Sequence, residues 1–193
     1  MNRRKLCCLS ALFLLCVAVV SAAGVGFEFG IGSGYVFYGN DGVRDRNKLH
    51  SDANQVLLCM NTGALYRIAP HVYFCAGVDS MLDLRWSGGD HINLVDYAGL
   101  IGFHIYPGRS GLVGTVEYAL GRRSDFISVD GGTKLDDVYH TGWGNGFKFG
   151  LAYDFARTGL GFAPVIGASW RHMPRGDDSN DDIIAVFFKI AGK

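Results

Sequence analysis

The chain has 193 residues, with 18 Lys and Arg against 18 Asp and Glu, 49% apolar and 13% aromatic residues, and 28 glycines beside 4 prolines. That much apolar and aromatic surface excludes a charged disordered tail, glycines without a period of three exclude a collagen helix, and the lack of a basic excess argues against nucleic-acid binding. The length suits one domain.

Residues 1–23, MNRRKLCCLSALFLLCVAVVSAA, start with Arg3, Arg4 and Lys5, run on through the apolar stretch Leu6 to Val20 and end on Ser21, Ala22 and Ala23. A positive start, a short apolar core and small residues at the end make a secretory signal peptide. The apolar run is short for a helix that crosses a bilayer. Leu6 stands before Cys7 and Leu15 before Cys16, where lipid attachment would need a small residue. Removing this leader leaves residues 24–193, with all 28 glycines, 15 basic residues against 18 acidic ones, and only Cys59 and Cys75 of the five cysteines.

Beyond the leader, helical periodicity is missing and a period of two takes its place. In the first segment Val25, Phe27, Phe29, Ile31, Tyr35 and Phe37 share one face, with Ser33 as an interruption, and Gly26, Glu28, Gly30, Gly32 and Gly34 share the other. The second strand is expected near Gln55 to Ile68, with Val56, Leu58, Met60, Ala64, Tyr66 and Ile68 on the apolar face and Arg67 opposite. The third, His71 to Arg85, sets Val72, Phe74, Ala76, Val78, Leu82 and Leu84 against Tyr73, Asp79, Asp83 and Arg85. The fourth, Ile92 to Tyr106, carries Val95, Tyr97, Ile101, Phe103 and Ile105 on one side, with Asp96 and His104 on the other. The fifth, Leu112 to Gly121, turns Leu112, Val116, Tyr118 and Leu120 away from Glu117.

The sixth is the clearest. From Tyr139 to Phe155 one face holds Tyr139, Thr141, Trp143, Asn145, Phe147, Phe149, Leu151, Tyr153 and Phe155, and the other holds His140, Lys148, Asp154 and mostly glycine. Seventeen residues are many for a strand in a soluble sheet. The seventh, Leu160 to Arg171, places Phe162, Ile166 and Trp170 on the apolar face, where Pro164 is awkward, with Arg171 opposite. The eighth, Asp182 to Ile190, is ambiguous because Ile183 to Phe188 is nearly all apolar.

An even number of strands, each with one bulky apolar face and one small or charged face, predicts an all-β, eight-stranded antiparallel up-and-down transmembrane barrel. The rings turn toward lipid, and glycine and charge turn inward. Glycine relieves crowding in so narrow a bore and lets the sheet curve tightly. The expected connections, Gly39 to Asn54, Ala69–Pro70, Trp86 to His91, Pro107 to Gly111, Arg122 to Val138, Ala156 to Gly159 and His172 to Asp181, alternate long and short. That alternation suits short periplasmic turns and long outside loops. Tyr35, Phe37, Tyr38, Trp86, Tyr106, Trp143 and Trp170 sit near strand ends, as a headgroup-level aromatic belt would.

The glycine and aromatic style of GVGFEFGIGSGYVFYG and GWGNGFKFGLAYDF resembles the small eight-stranded outer-membrane barrels of Gram-negative-type cells, the OmpW/OmpX-like group, including the small spirochaete barrels. The resemblance spans the whole mature chain and is one of pattern. It implies location in the outer membrane, lipid as the constant partner, and periplasmic chaperones and the barrel-assembly machinery during biogenesis. Such barrels often end on an aromatic residue, whereas this chain ends FFKIAGK. OmpW-like members imply a narrow conduit for small hydrophobic solutes. OmpX-like members imply surface contact through long loops with extracellular ligands. The conduit is the reading taken here. A non-conducting surface scaffold, a lipid-modifying enzyme and a soluble ligand-binding barrel are the alternatives, and a monomer without cofactor is expected.

Glu28, Arg67, Asp79, Asp83, Arg85, Asp96, Glu117, Lys148, Asp154 and Arg171, with His104, are expected inside the barrel. Buried charges there must pair or be hydrated, so a mixed-sign network that plugs the lumen is the simplest expectation. A serine hydrolase would need one of His104, His140 and His172 beside Ser33, Ser124 or Ser169, with Glu28 or Glu117 to orient it. No spacing singles out a trio. Asp177, Asp178, Asp181 and Asp182 match no calcium loop and read as a solvated acidic turn. The Arg44 to Lys48 cluster, interleaved with Asp41 and Asp45, reads as a polar loop that anionic glycans or headgroups could touch. Gly30 to Gly34 lacks the following helix that phosphate binding requires. Cys59 lies farther from the Ala69–Pro70 turn than Cys75, too far out of register for a disulfide.

Overall fold

In the computed structural model, which describes residues 25–49, 52–108, 110–128, 137–155, 163–176 and 179–192, the alternating segments become strands. They are β1 (Val25–Tyr38), β2 (Asn54–Ala69), β3 (Val72–Ser87), β4 (Asp90–Ile105), β5 (Leu112–Ser128), β6 (Asp137–His140), β7 (Gly144–Asp154), β8 (Ala163–Met173) and β9 (Asp181–Gly192). Every pairing between them is antiparallel. β1 bonds to β2 on one side and to β9 on the other, which closes the sheet into a barrel. β6 and β7 both pair with β5 and form one stave, so the barrel has eight. The leader, residue Phe162, and the Asp177 and Asp178 part of the acidic run lie outside the described residues.

The sixth stave departs from its expected uninterrupted form. Ser124 of β5 pairs with His140 and Gly121 with Gly144, so three residues, Thr141 to Trp143, oppose two. This is a β-bulge, and it reverses the alternation. Tyr139 pairs with the buried Asp125 and therefore shares its inward face, whereas Phe147, Phe149, Leu151 and Tyr153 point outward as expected. β5 also runs to Ser128 rather than ending at Gly121. Arg123 and Asp125, expected in a loop, thereby become interior barrel residues.

Two connections differ from expectation. β3 and β4 run on until only Gly88 and Gly89 separate them, and Gly88 takes φ +60°, which a two-residue hairpin can demand of its first central residue. The long and short alternation therefore loses one long member. The β1–β2 connection folds into a short helix, α1 (Asp41–Leu49), where only loop was expected. Asn40 caps it, its Oδ1 accepting a hydrogen bond from Val43 N–H at 3.1 Å. Val43 packs into a core cluster with Tyr38, Ile92, Leu94 and Ile183, so α1 lies across the barrel mouth.

Pairing with β1 settles the ambiguous last strand. Ile183, Ala185, Phe187, Lys189 and Ala191 face in; Ile184, Val186, Phe188 and Ile190 face out. Tight curvature is visible where Gly77 of β3 meets Gly63 of β2: a Cβ on Gly77 would stand 2.8 Å from the Gly63 Cα.

Candidate functional site

The interior of a barrel this narrow admits side chains from every stave, so residues remote in sequence meet across the bore. Glu28, Asp79, Asp83, Asp96, His104, Glu117, Lys148, Asp154 and Arg171 are all buried there. Arg85 is half-buried, holding Asp83 at 3.1 Å. Arg67 is a correction: it is exposed beside the short β2–β3 turn and donates to the Ala69 and Pro70 carbonyls. Its long side chain finds backbone acceptors at the barrel end without entering the bore.

The charges form a ladder. Lys148 Nζ donates to Asp79 Oδ1 at 2.6 Å, and Asp79 Oδ2 accepts from Arg171 at 2.8 Å. Arg171 also binds Asp96, which binds Arg175, which binds Asp181, which binds Arg123. Arg123 Nε continues to Asp125 at 2.7 Å, and Asp125 meets Arg46 of α1 at 3.5 Å. Positive and negative groups alternate from mid-barrel to the mouth, drawn from β3, β4, β5, β7, β8, β9, α1 and, at Arg175, the connection after β8. A cavity of about 20 Å³ beside Asp79, Lys148, Arg171 and Cys59 has room for about one water.

Nearer the short-turn end lies a different group. Lys189 Nζ donates to Glu28 at 2.9 Å. His104 lies with Nδ1 3.9 Å from Glu28 and Nε2 3.4 Å from Glu117, and the Cys75 thiol donates to Glu117 at 3.3 Å. Tyr106 and Tyr38, expected at the headgroup level, are buried instead, donating to Asp154 at 3.1 Å and Asp83 at 2.7 Å. Cys59 and Cys75 are both free; Cys59 pairs with Met81 and Cys75 with Leu65, six rungs apart on β3.

The acidic run is a second correction. Asp181 is wholly buried between Arg123 and Arg175, and Asp182 accepts from Trp170 Nε1 at 2.8 Å and stands 2.9 Å from His172 Nδ1. β9 begins at Asp181, which puts that carboxylate in the bore. Of the serine–histidine combinations, Ser124 Oγ lies 2.9 Å from His140 Nδ1. Among the described residues, no carboxylate bond to His140 completes a trio.

The outer surface is the opposite of the interior. Phe29, Ile31, Phe103, Tyr118, Phe147, Phe149, Leu151, Tyr153, Ile166 and Trp170 are exposed, and Phe27 and Tyr97 half-exposed. Along β1, β2, β3, β4, β7 and β8 the outward positions carry no Asp, Glu, Lys or Arg; on β5 and β9 the only ones are Arg122 and Asp182, at the loop end. Trp170, Trp143 and Trp86 stand at that same end, Trp143 edge-on to Tyr97 at 6.3 Å. Above them a cleft of about 400 Å³, lined by Val43, Arg46, Arg123, Asp125, Tyr139 and His140, opens between α1 and β6.

Sequence reasoning missed Arg123, Asp125, Arg175, Asp181 and Lys189 as interior groups. The signal for Lys189 was its parity with Phe187 once paired to β1; Arg123 and Asp125 continue the Glu117 parity, had the strand been extended.

No protein-family model and no curated protein sequence matches the chain. Solved structures do. Ail, the attachment invasion locus protein of Yersinia pestis, solved with the heparin analogue sucrose octasulfate, aligns over 86% of this chain and 97% of its own at 11% identity, with a TM-score of 0.59. Neisserial surface protein A aligns over 88% and 97% at 12% identity, with a TM-score of 0.55. These likenesses show the fold, a closed eight-stranded antiparallel barrel of the kind found in small outer-membrane proteins.

Proposed function

We propose that this protein spans an outer membrane as a monomeric barrel with a closed bore, and that its loop-end surface, α1 with the cleft beside it, makes its contacts. The uncharged outward face between the rims carries this reading. From Phe27 to Phe37 the outward row of β1 rises about 33 Å along the strand, or about 25 Å along the axis at a tilt of ~40°, the height of a lipid-facing band. Water would not tolerate so large a continuous apolar surface. Lipid is thus the constant partner, and chaperones and assembly machinery are partners only while the barrel forms.

Between the two functional readings taken from the sequence, the interior favours the scaffold over the conduit. A solute path would require the Lys148–Asp79–Arg171–Asp96 ladder to part, leaving buried charges uncompensated at several kcal/mol. The names of Ail and the Neisserial surface protein speak of attachment and surface display, which supports the same reading. A polysulfated partner like the analogue bound to Ail is not favoured: Arg44, Arg46 and Lys48 of α1 are each paired with Asp41, Asp125 and Asp45.

Single-channel recording of the refolded protein in planar bilayers tests this. No discrete conductance is expected. Steady openings in the native protein would restore the conduit. Labelling from a photoreactive lipid should reach Phe29, Phe147 and Phe149; protection of all three would remove the membrane assignment itself.

A further inference from the structure

The mixed cluster at the short-turn end has no counterpart in the ladder. Beside the Lys189–Glu28 pair it holds a thiol, an imidazole and a second carboxylate, all buried. Each comes from a different strand: Glu28 from β1, Cys75 from β3, His104 from β4 and Glu117 from β5. One potential donor atom each from Glu28, Cys75 and His104 lies within 4.8 Å of the other two. Tetrahedral zinc, with bonds of about 2.0–2.3 Å, needs its donors about 3.3–3.7 Å apart, so side-chain rotations of about an ångström complete the geometry.

The surroundings point the same way. Cys75 and Glu117 both pair with Gly102 of β4, one on each side. A Cβ at Gly102 would stand 2.6 Å from the Glu117 Cα, so the missing side chain leaves the gap across which Cys75 and Glu117 meet. With Nε2 of His104 turned to Glu117, Nδ1 is the nitrogen that faces Glu28. A carboxylate on the second nitrogen is the arrangement that fixes the tautomer of a metal-bound imidazole. Charge closes as well. Two carboxylates, a thiolate and the Lys189 ammonium leave two negative charges, which a divalent ion cancels.

We propose that Glu28, Cys75 and His104 form a binding site for a divalent transition-metal ion of the zinc type, with Glu117 as the positioning residue for His104. Binding releases the Cys75 thiol proton to solvent, and three protein donors leave a fourth position for water. Because the donors converge only when β1, β3 and β4 are joined, the ion is captured as the barrel closes.

The test is to refold the protein in detergent with Co²⁺ or Zn²⁺, remove free metal by desalting, and measure metal content and thiolate-to-cobalt charge-transfer absorption. One ion per chain and a clear band are expected. Cys75→Ser should lose the band, Cys59→Ser should keep it, and Glu117→Gln should weaken affinity about 10–100-fold. X-ray absorption of the unsubstituted cobalt form, which depends on no variant folding, should find one sulfur in the coordination shell. Failure to retain metal, a shell of nitrogen and oxygen alone, or an undiminished band in folded Cys75→Ser would each overturn the site.

Discussion

The two ends of the bore are both lined by buried polar groups and are chemically unlike. Toward the loop end, Asp79, Asp96 and Asp181 each bind two cationic side chains, so each of these carboxylates is shared. Toward the short-turn end, Glu28 is bridged by Lys189, whereas Glu117, with Lys148 its cross-strand neighbour, has its close contacts among the described residues with His104 and Cys75. Arginine cannot give up its proton in a protein, so the upper ladder is permanent and suited to closing a lumen. A thiol can give up its proton to a metal and an imidazole can offer it a lone pair, so the lower cluster is suited to binding. Burial alone does not separate a plug from a site; the identity of the partners does.

Removing a shared carboxylate from the ladder is the severest way to break this contrast. Asp96→Ala takes a shared carboxylate from both Arg171 and Arg175, leaving two buried cations with one partner each, and should cost about 3–5 kcal/mol, read as a lower urea midpoint for unfolding from lipid vesicles. Phe149→Arg probes the wall that encloses both ends. A charge on the lipid face should cost about 2–4 kcal/mol near the midplane and less near a rim, in the same assay. Gly77→Val, which must push a side chain into β2, should cost about 1–3 kcal/mol. Cys75→Ser in metal-free protein should lose only about 1 kcal/mol, and a loss as large as that of Asp96→Ala would erase the distinction between the two ends. Asp45→Asn, which breaks only the exposed Lys48 pair, should leave the midpoint unchanged.

Much of the wall was legible in the sequence. An apolar outer wall and a crowded bore inside put opposite chemistry on successive residues, so Phe27, Glu28, Phe29 and Gly30 declare their faces by parity alone. The same rule found Asp79, Asp96, Lys148 and Arg171. It failed where an extra residue resets the parity, as at Thr141 to Trp143, and where turn chemistry is local, as at Gly88 and Gly89. The α1 helix had its signals in Asn40 and in the acidic start and basic end of Asp41 to Lys48, but a single short helix inside a strand pattern is easily passed over.

What the sequence determined by itself was therefore the alternation, the number of staves and the sign of most faces, because these follow a pattern of neighbours one or two residues apart. What only the tertiary structure decided was partnership. Lys189 meets Glu28 from 161 residues away, and Arg175 meets Asp96 from 79. Such contacts depend on strand register and on closure of the barrel, and those are set by all the staves at once.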